Sequence, residues 1–248
     1  MTTSAAQAGR VYLVGAGPGS AELLTLRAHA LIGSATCLLH DDLVSAEVLS
    51  LACDQALVRN VGKRCGTKTI TQEDINAWMI EYATAGHAVV RLKSGDPLLF
   101  GRAAEEIDAL TGAGVPFEVT PGVSAGFAAA ALAGAPLTGR ITSSRLLFAT
   151  RHLVAGQTSG LVGITPDANL VLYMPGRDYS AIQSELRGNG WPSGTLCLIA
   201  SRLGTGAEQL VRCKLDGLAG VSPLPAPVLM VFLAVDVNGT QDFGNQLK

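Results

Sequence analysis

Three clusters of residues combine types and spacings that could do chemistry. The most informative runs from Val89 to Glu106 and reads Val-Val-Arg-Leu-Lys-Ser-Gly-Asp-Pro-Leu-Leu-Phe-Gly-Arg-Ala-Ala-Glu-Glu. An apolar strand ends in a basic residue, followed by a flexible turn, a carboxylate and a proline, then a helix that starts at Gly101 and holds Arg102 and Glu105 in its first turn. A cation there opposes the helix macrodipole, so Arg102 is expected either to face an anion or to pair with Glu105 or Glu106. The second cluster is His40-Asp41-Asp42-Leu43-Val44. Ligands collect at the carboxyl ends of strands in open α/β sheets, so two adjacent carboxylates there are candidates for a general base or a cation partner. The alternative is that one of them caps the next helix. The third cluster, Val11 to Gly19, is an apolar strand running into a glycine-rich turn, where backbone amides can approach a ligand closely. Its glycines read G-x-G-x-G with Pro18 among them, and proline supplies no amide to a pyrophosphate. A nicotinamide dinucleotide is therefore disfavoured, and a tight turn without a ligand is the competing reading.

The elements that must position these clusters follow from the hydrophobic pattern. Strand-like runs occur at Val11 to Val14, Cys37 to His40, Ala88 to Leu92, Leu146 to Thr150, Leu170 to Met174, Thr195 to Ala200 and Val228 to Val235. Between them lie amphipathic segments. From about Gln72 to Ala85, Thr71 with Asp74 makes a capping-box start, and Ile75, Trp78, Met79 and Tyr82 keep helical spacing. Ser20 is expected to cap a helix running through Ile32, and Ala103, Ala104, Ile107 and Leu110 to face one way on the helix after Gly101. Such alternation predicts parallel sheets covered on both faces. Around Phe117 to Ala133 the texture changes to a strand end, a turn and a helix of small residues, which places a domain boundary near Pro121: an α/β domain over 1–120 and another over 121–248.

Composition narrows the function classes. The 248 residues carry 18 Lys plus Arg against 20 Asp plus Glu, a formal charge of −2, so the long-range basic field of a general nucleic-acid binder is missing. The 48% hydrophobic content favours a folded chain over disorder. No apolar run approaches the length that spans a bilayer, and the first nine residues do not read as a secretion signal, so a cytoplasmic protein is expected. Five scattered cysteines and four unclustered histidines point to neither a disulfide framework nor a structural metal.

Taken in order, Gly15 to Leu26, Asp41 with Leu43-Val44, Gly62-Lys63-Arg64 with Gln72 to Asn76, Lys93 to Glu106, Pro116 to Ala125 and Pro136-Leu-Thr resemble the motifs of the tetrapyrrole methylase family. The likeness is good over about residues 10 to 150 and weaker to about residue 235. It implies a two-domain α/β homodimer, with a parallel sheet in the first domain, a mixed sheet in the second and the active cleft between them. The implied activity is C-methylation of uroporphyrinogen III at two pyrrole carbons to give precorrin-2, using S-adenosyl-L-methionine and releasing S-adenosyl-L-homocysteine, for siroheme, cobalamin or haem d1 synthesis. Carried over by position, Pro18, Ser94, Gly95, Asp96, Leu99, Ser124, Ala125, Met174 and Arg202 would contact the cofactor. Asp41 would accept a proton, Lys63 would donate one, and Arg102, Glu105, Arg140 and His152 would contact the macrocycle, with Arg102 counted among the catalytic positions.

The chemistry is consistent with that assignment. A sulfonium donor brings an activated methyl group and an electron-rich pyrrole carbon is already a nucleophile, so alignment and removal of a proton suffice, without a metal. Eight carboxylates on the substrate call for local cations, and Lys63, Arg64, Lys68, Arg91, Lys93, Arg102, Arg140, Arg145 and Arg151 lie near the motifs. The sequence departs from the family pattern at Ser94, Ala103 and Ala104, each a glycine there; at Asp42, a frequent Arg; at Gly139, a usual His; and at Arg151, a usual Gly. Asp42 and Gly139 each replace a side chain that could hydrogen-bond substrate. Alternatives are a methyltransferase of a later corrin precursor, a non-tetrapyrrole member of the fold acting on diphthamide or ribosomal RNA, and a catalytically silent binding homologue.

Overall fold

The computed structural model describes residues 5–62, 70–140, 143–151 and 160–234. The chain divides into two compact units, Met1–Ser124 and Ala125–Lys248.

In the first unit the order is β1 (Arg10–Gly15), α1 (Leu26–Ser34), β2 (Cys37–His40), α2 (Ala46–Leu49), β3 (Leu57–Asn60), α3 (Gln72–Thr84), β4 (Ala88–Lys93), α4 (Ala103–Gly112) and β5 (Phe117–Thr120). The strands form one parallel sheet in the order β3-β2-β4-β1-β5. Because successive strand residues point to opposite faces, two cores form. Tyr12, Val14, Leu38, Val90 and Leu92 pack with Leu31 and Ile32 of α1 and Val48 of α2. Val11, Leu13, Leu39 and Val89 pack with Ile75 and Met79 of α3 and Leu110 of α4. Arg91 and Lys93 share the parity of Val89, so the second face ends in two buried cations at the carboxyl edge of β4.

In the second unit, α5 (Ala125–Ala133), β6 (Leu146–Thr150), β7 (Asn169–Tyr173), α6 (Tyr179–Gly188), β8 (Leu196–Ser201), β9 (Gln209–Lys214) and β10 (Val228–Leu233) follow. The sheet order is β6-β7-β10-β8-β9, with β6 and β7 parallel and every other pair antiparallel. The strand–helix alternation alone predicts parallel sheets and fails in this unit, whereas the mixed second sheet implied by the family resemblance is found. Strands β8 and β9 are joined by the short connection Arg202 to Glu208, which permits antiparallel pairing and is shorter than the dozen or so residues of a parallel crossover. Helix α5 lies close on the sheet because its residues are small: a Cβ on Gly126 would come within 2.8 Å of Val171 Cγ1 and 2.9 Å of Tyr173 Oη. On the opposite face Trp191, fully buried, stacks edge-on to Phe232 at 6.1 Å and donates Nε1–H to Ile164 O at 2.8 Å.

Two helix starts differ from the sequence expectation. Ser20 caps only a 3-10 turn, Ala21–Leu23, and Thr25 caps α1 by accepting from Ala28 N. Helix α4 begins at Ala103, two residues after Gly101, with Arg102 at its N-cap in the left-handed region (φ 56°). The capping box of α3, by contrast, forms as expected from Thr71 and Asp74. Among the described residues, no helix is long and apolar enough to cross a membrane.

Trp191→Ala removes the largest fully buried side chain together with its hydrogen bond. It is expected to cost about 3–5 kcal/mol in urea unfolding followed by circular dichroism.

Candidate functional site

The carboxyl ends of β1, β4 and β5 converge through glycines. Gly17 and Gly95 exchange backbone hydrogen bonds of 3.2 and 2.8 Å, and Ala16 N donates to Lys93 O at 2.7 Å. Two of these contacts admit no side chain. A Cβ on Gly15 would lie 2.5 Å from Gly122 Cα, and one on Gly122 would lie 2.2 Å from Gly95 O. Asp96 locks the arrangement: Oδ1 accepts from Leu98 N at 2.9 Å and Oδ2 from Gly122 N at 3.1 Å. Asp96 thus ties the turn after β4 to the turn after β5. Pro18, Ser94 and Gly95 are partly exposed on this shelf, Leu99 N donates to Asp96 O at 3.3 Å, and Ser124 is buried at the end of the unit.

Beside the shelf lies an ion network. Asp41, directly after β2, accepts at Oδ1 from Arg91 Nη2 at 2.5 Å. Arg91 Nε donates to Glu106 Oε1 at 2.9 Å, and its Nη1 to Leu92 O at 3.3 Å. Lys93 Nζ lies 3.0 Å from Glu106 Oε1 and 2.9 Å from Oε2. Gln72 Nε2 reaches Glu106 Oε1 at 3.4 Å from α3. The side chains of Glu106, Lys93 and Arg91 are 0%, 2% and 3% exposed, whereas that of Asp41 is 28% exposed. Burial is the largest influence on Lys93 and, with Arg91 beside it, holds the ammonium below its ordinary value against the pull of Glu106. Arg91 is held above its ordinary value by Asp41 and Glu106, which outweigh its burial. Two carboxylates thus balance two cations, and Asp41 is the member that reaches the surface.

The geometry settles two alternatives that the sequence left open and corrects one expectation. Neither Asp41 nor Asp42 caps the following helix, because Ser45 does so by accepting from Val48 N. Asp42 Oδ1 accepts from Asn60 Nδ2 at 2.7 Å, and Asn60 Oδ1 accepts from Gly62 N at 2.8 Å, so Asp42 latches the end of β2 to the end of β3. Arg91 and Lys93, counted among the cations available to a polyacid, are buried and already neutralised. Arg102 pairs with Glu105 rather than Glu106, through Nε to Oε1 at 2.7 Å and Nη2 to Oε2 at 2.6 Å, and both side chains are about half exposed.

In the second unit Met174, after β7, and Arg202, after β8, both have left-handed backbones (φ 48° and 51°). Side chains other than glycine, Asn or Asp rarely adopt this region, and such strain concentrates at functional turns. Met174 is 44% exposed, and Arg202 N donates to Pro227 O at 3.0 Å. Ala125 opens α5. Arg140 is exposed in the turn closed by Gly139 N to Ser143 O at 2.8 Å. Arg151 donates Nη2 to Glu185 Oε1 at 2.5 Å and Nη1 to Pro175 O at 3.4 Å, and Arg145 pairs with Asp167. Both of these arginines serve the fold of their unit. Lys63, Arg64, Lys68 and His152 lie outside the described residues. Sequence reasoning missed the role of Glu106. The available signals were two cations at alternate positions of a buried strand and an acid on the Ala103, Glu106, Leu110 stripe of α4.

Two outcomes follow. Gly122→Ala places a methyl against backbone on two sides, so it is expected to lower the unfolding free energy in urea by about 1–3 kcal/mol. Lys93 has a folded value below its ordinary 10.5, so the unfolded chain takes up its proton first on lowering the pH. Lys93 therefore contributes stability that increases as pH rises through the interval ending near 10.5. Lys93→Met is expected to make the slope of unfolding free energy against pH less positive there, as measured by urea titrations.

Comparison with known proteins fits this geometry. The model of the tetrapyrrole (corrin/porphyrin) methylases matches residues 10–219. A uroporphyrinogen-III C-methyltransferase of Paracoccus denitrificans is 41% identical over 231 residues, covering 90% of this chain and 80% of that one. A siroheme synthase of Hahella chejuensis is 40% identical over 90% of this chain, which spans 49% of its length. The crystal structure of a uroporphyrin-III C-methyl transferase from Thermus thermophilus complexed with S-adenyl homocysteine has a TM-score of 0.78 at 35% identity, covering 90% of this chain and 91% of that one. With the parallel sheet, the glycine shelf and the mixed second sheet in place, this chain belongs to the tetrapyrrole methylases.

Proposed function

We propose that this chain transfers methyl groups from S-adenosylmethionine to two pyrrole carbons of uroporphyrinogen III, giving precorrin-2. The observation that carries the proposal is the partly exposed Asp41 carboxylate, anchored by Arg91 at the strand ends next to the Gly15–Gly95–Gly122 shelf.

The donor set fits an adenosyl sulfonium. The amides of Gly17 and Gly95 are bonded to each other's carbonyls, Pro18 offers no N–H, and the nearby cations Arg91 and Lys93 are buried and paired. Neutral carbonyls tolerate a cationic sulfonium, whereas a pyrophosphate would require donors and positive charge. Pro18, Ser94, Gly95, Asp96, Leu99 and Ser124 would hold this group, and the resemblance assigns Ala125, Met174 and Arg202 to it as well. When bound, it supplies an electrophilic methyl.

The residues of the chain then have two tasks. The first is to present the pyrrole carbon in line with that methyl, a task for the exposed Arg102–Glu105 pair and Arg140, joined by His152 as the resemblance implies. Arg102 shares its guanidinium with Glu105, so it can bind a propionate or acetate without exposing an isolated cation. The second is to take the proton that leaves the methylated carbon. Asp41 has one oxygen fixed by Arg91 and part of its carboxylate open to solvent, so it can accept that proton without leaving its anchor. Lys63 remains the proposed donor. The homodimeric assembly that the resemblance implies and the cytoplasmic location expected from the sequence belong to the same proposal.

The test is anaerobic incubation with S-adenosylmethionine and enzymatically generated uroporphyrinogen III. Appearance of the precorrin-2 spectrum is expected, and its absence beside an active control enzyme overturns the reading. Asp41→Asn keeps the shape of the side chain and removes its basicity. It is expected to lower kcat about 100-fold or more while S-adenosylhomocysteine affinity stays within about twofold.

A further inference from the structure

Glu106 does not reach the surface and touches no part of the shelf, yet it is the centre of the ion network. A carboxylate brought out of water costs several kcal/mol unless paired and hydrogen-bonded, and a hydrophobic residue on the inner stripe of α4 would avoid that cost. Its position explains its use. The Arg91 guanidinium is a rigid plane whose three nitrogens are all engaged: Nε on Glu106, Nη1 on Leu92 O and Nη2 on Asp41. Fixing Nε therefore fixes where Nη2 points. Lys93 holds the other side of Glu106, and Gln72 approaches it from α3, so the carboxylate that orients Arg91 is itself held from β4 and from a neighbouring helix.

We infer that Glu106 is a positioning residue, which sets the Arg91 guanidinium so that it places the Asp41 carboxylate for proton transfer. The inference rests on the reading of Asp41 as proton acceptor and extends it to a buried group. Lys93 supplies the counter-charge that keeps Glu106 in place. Displacing a catalytic group by about 1 Å can cost on the order of 100-fold in rate, so a residue that never meets substrate can carry an effect of that size.

The principal variant is Lys93→Met combined with Glu106→Leu, which removes one charge of each sign and leaves Arg91 with Asp41, so the buried charge stays balanced. It is expected to lower kcat for uroporphyrinogen III about 10- to 100-fold, with KM and S-adenosylhomocysteine affinity within about threefold of the parent. Lys93→Met with Glu106→Gln returns an acceptor for Arg91 Nε and is expected to recover most of that loss. If Glu106 acts through Asp41, the leucine double variant costs no further rate in an Asp41→Asn background. Three results would overturn the inference: kcat unchanged in folded protein, a glutamine variant as slow as the leucine one, or an equal loss in the Asp41→Asn background. If the leucine variant does not fold, Lys93→Met with Glu106→Met, which keeps the length of the glutamine side chain and offers no such acceptor to Arg91 Nε, carries the same comparison against Asp41→Asn. An inactive parent would sink the proposed function, yet crystal structures of parent and leucine variant still decide the inference. Loss of the Arg91 Nη2 to Asp41 Oδ1 contact supports it, and retention rejects it.

Discussion

A carboxylate with no exposure to water has to be neutralised where it sits, and in this protein that requirement falls on Glu106. Its two cations, Arg91 and Lys93, come from alternate positions of the central strand β4, so the network exists only if α4 crosses that face in one register. The network thereby joins a helix to the strand ends on which the candidate chemistry stands. Arg91 carries the constraint outward to Asp41, the member of the set with appreciable solvent contact. Burial and chemistry are coupled here through a single guanidinium.

The glycine shelf poses the complementary problem. Three backbone turns approach so closely that Gly15 and Gly122 leave no space for a Cβ, and Asp96 spends both carboxylate oxygens holding two of those turns together. The amides of Gly17 and Gly95 are used within the shelf, and Pro18 has none. Such a surface offers few donors to a phosphate, which accords with the Pro18 signal in the first turn. On the second unit, the left-handed backbones at Met174 and Arg202 mark two strand ends where local strain is tolerated.

Much of this was legible in the sequence because it is local. The capping box at Thr71 and Asp74, the apolar parity of β1, β2 and β4, and the small-residue helix after Pro121 each follow from neighbours within a few positions. The motifs also located Asp41 and the Ser94–Asp96 turn. Strands β3 and β9 were not foreseen: Leu57-Val-Arg-Asn is short and partly exposed at a sheet edge, and Gln209 to Lys214 alternates polar with apolar without turn residues that set its partner. Long-range partners were likewise out of reach. That Asp42 would latch to Asn60, that Arg151 would be taken by Glu185, and that Glu106 would join Arg91 and Lys93 depends on tertiary placement, which spacing along one chain does not encode. Strand–helix alternation alone did not show the antiparallel pairing of the second sheet either, and only the family resemblance led to the mixed sheet that is found, since strand order is a property of the assembled sheet.

The central claim is that the Asp41 end of this network serves carbon methylation of a polyacidic macrocycle. The most direct measurement is mass spectrometry of the macrocycle recovered after reaction with a donor whose transferable methyl is fully deuterated. The account expects labelled methyl groups on two ring carbons of uroporphyrinogen III and none on its carboxylates. Label found on carboxylate oxygens, or an unlabelled macrocycle with the donor intact, would contradict it.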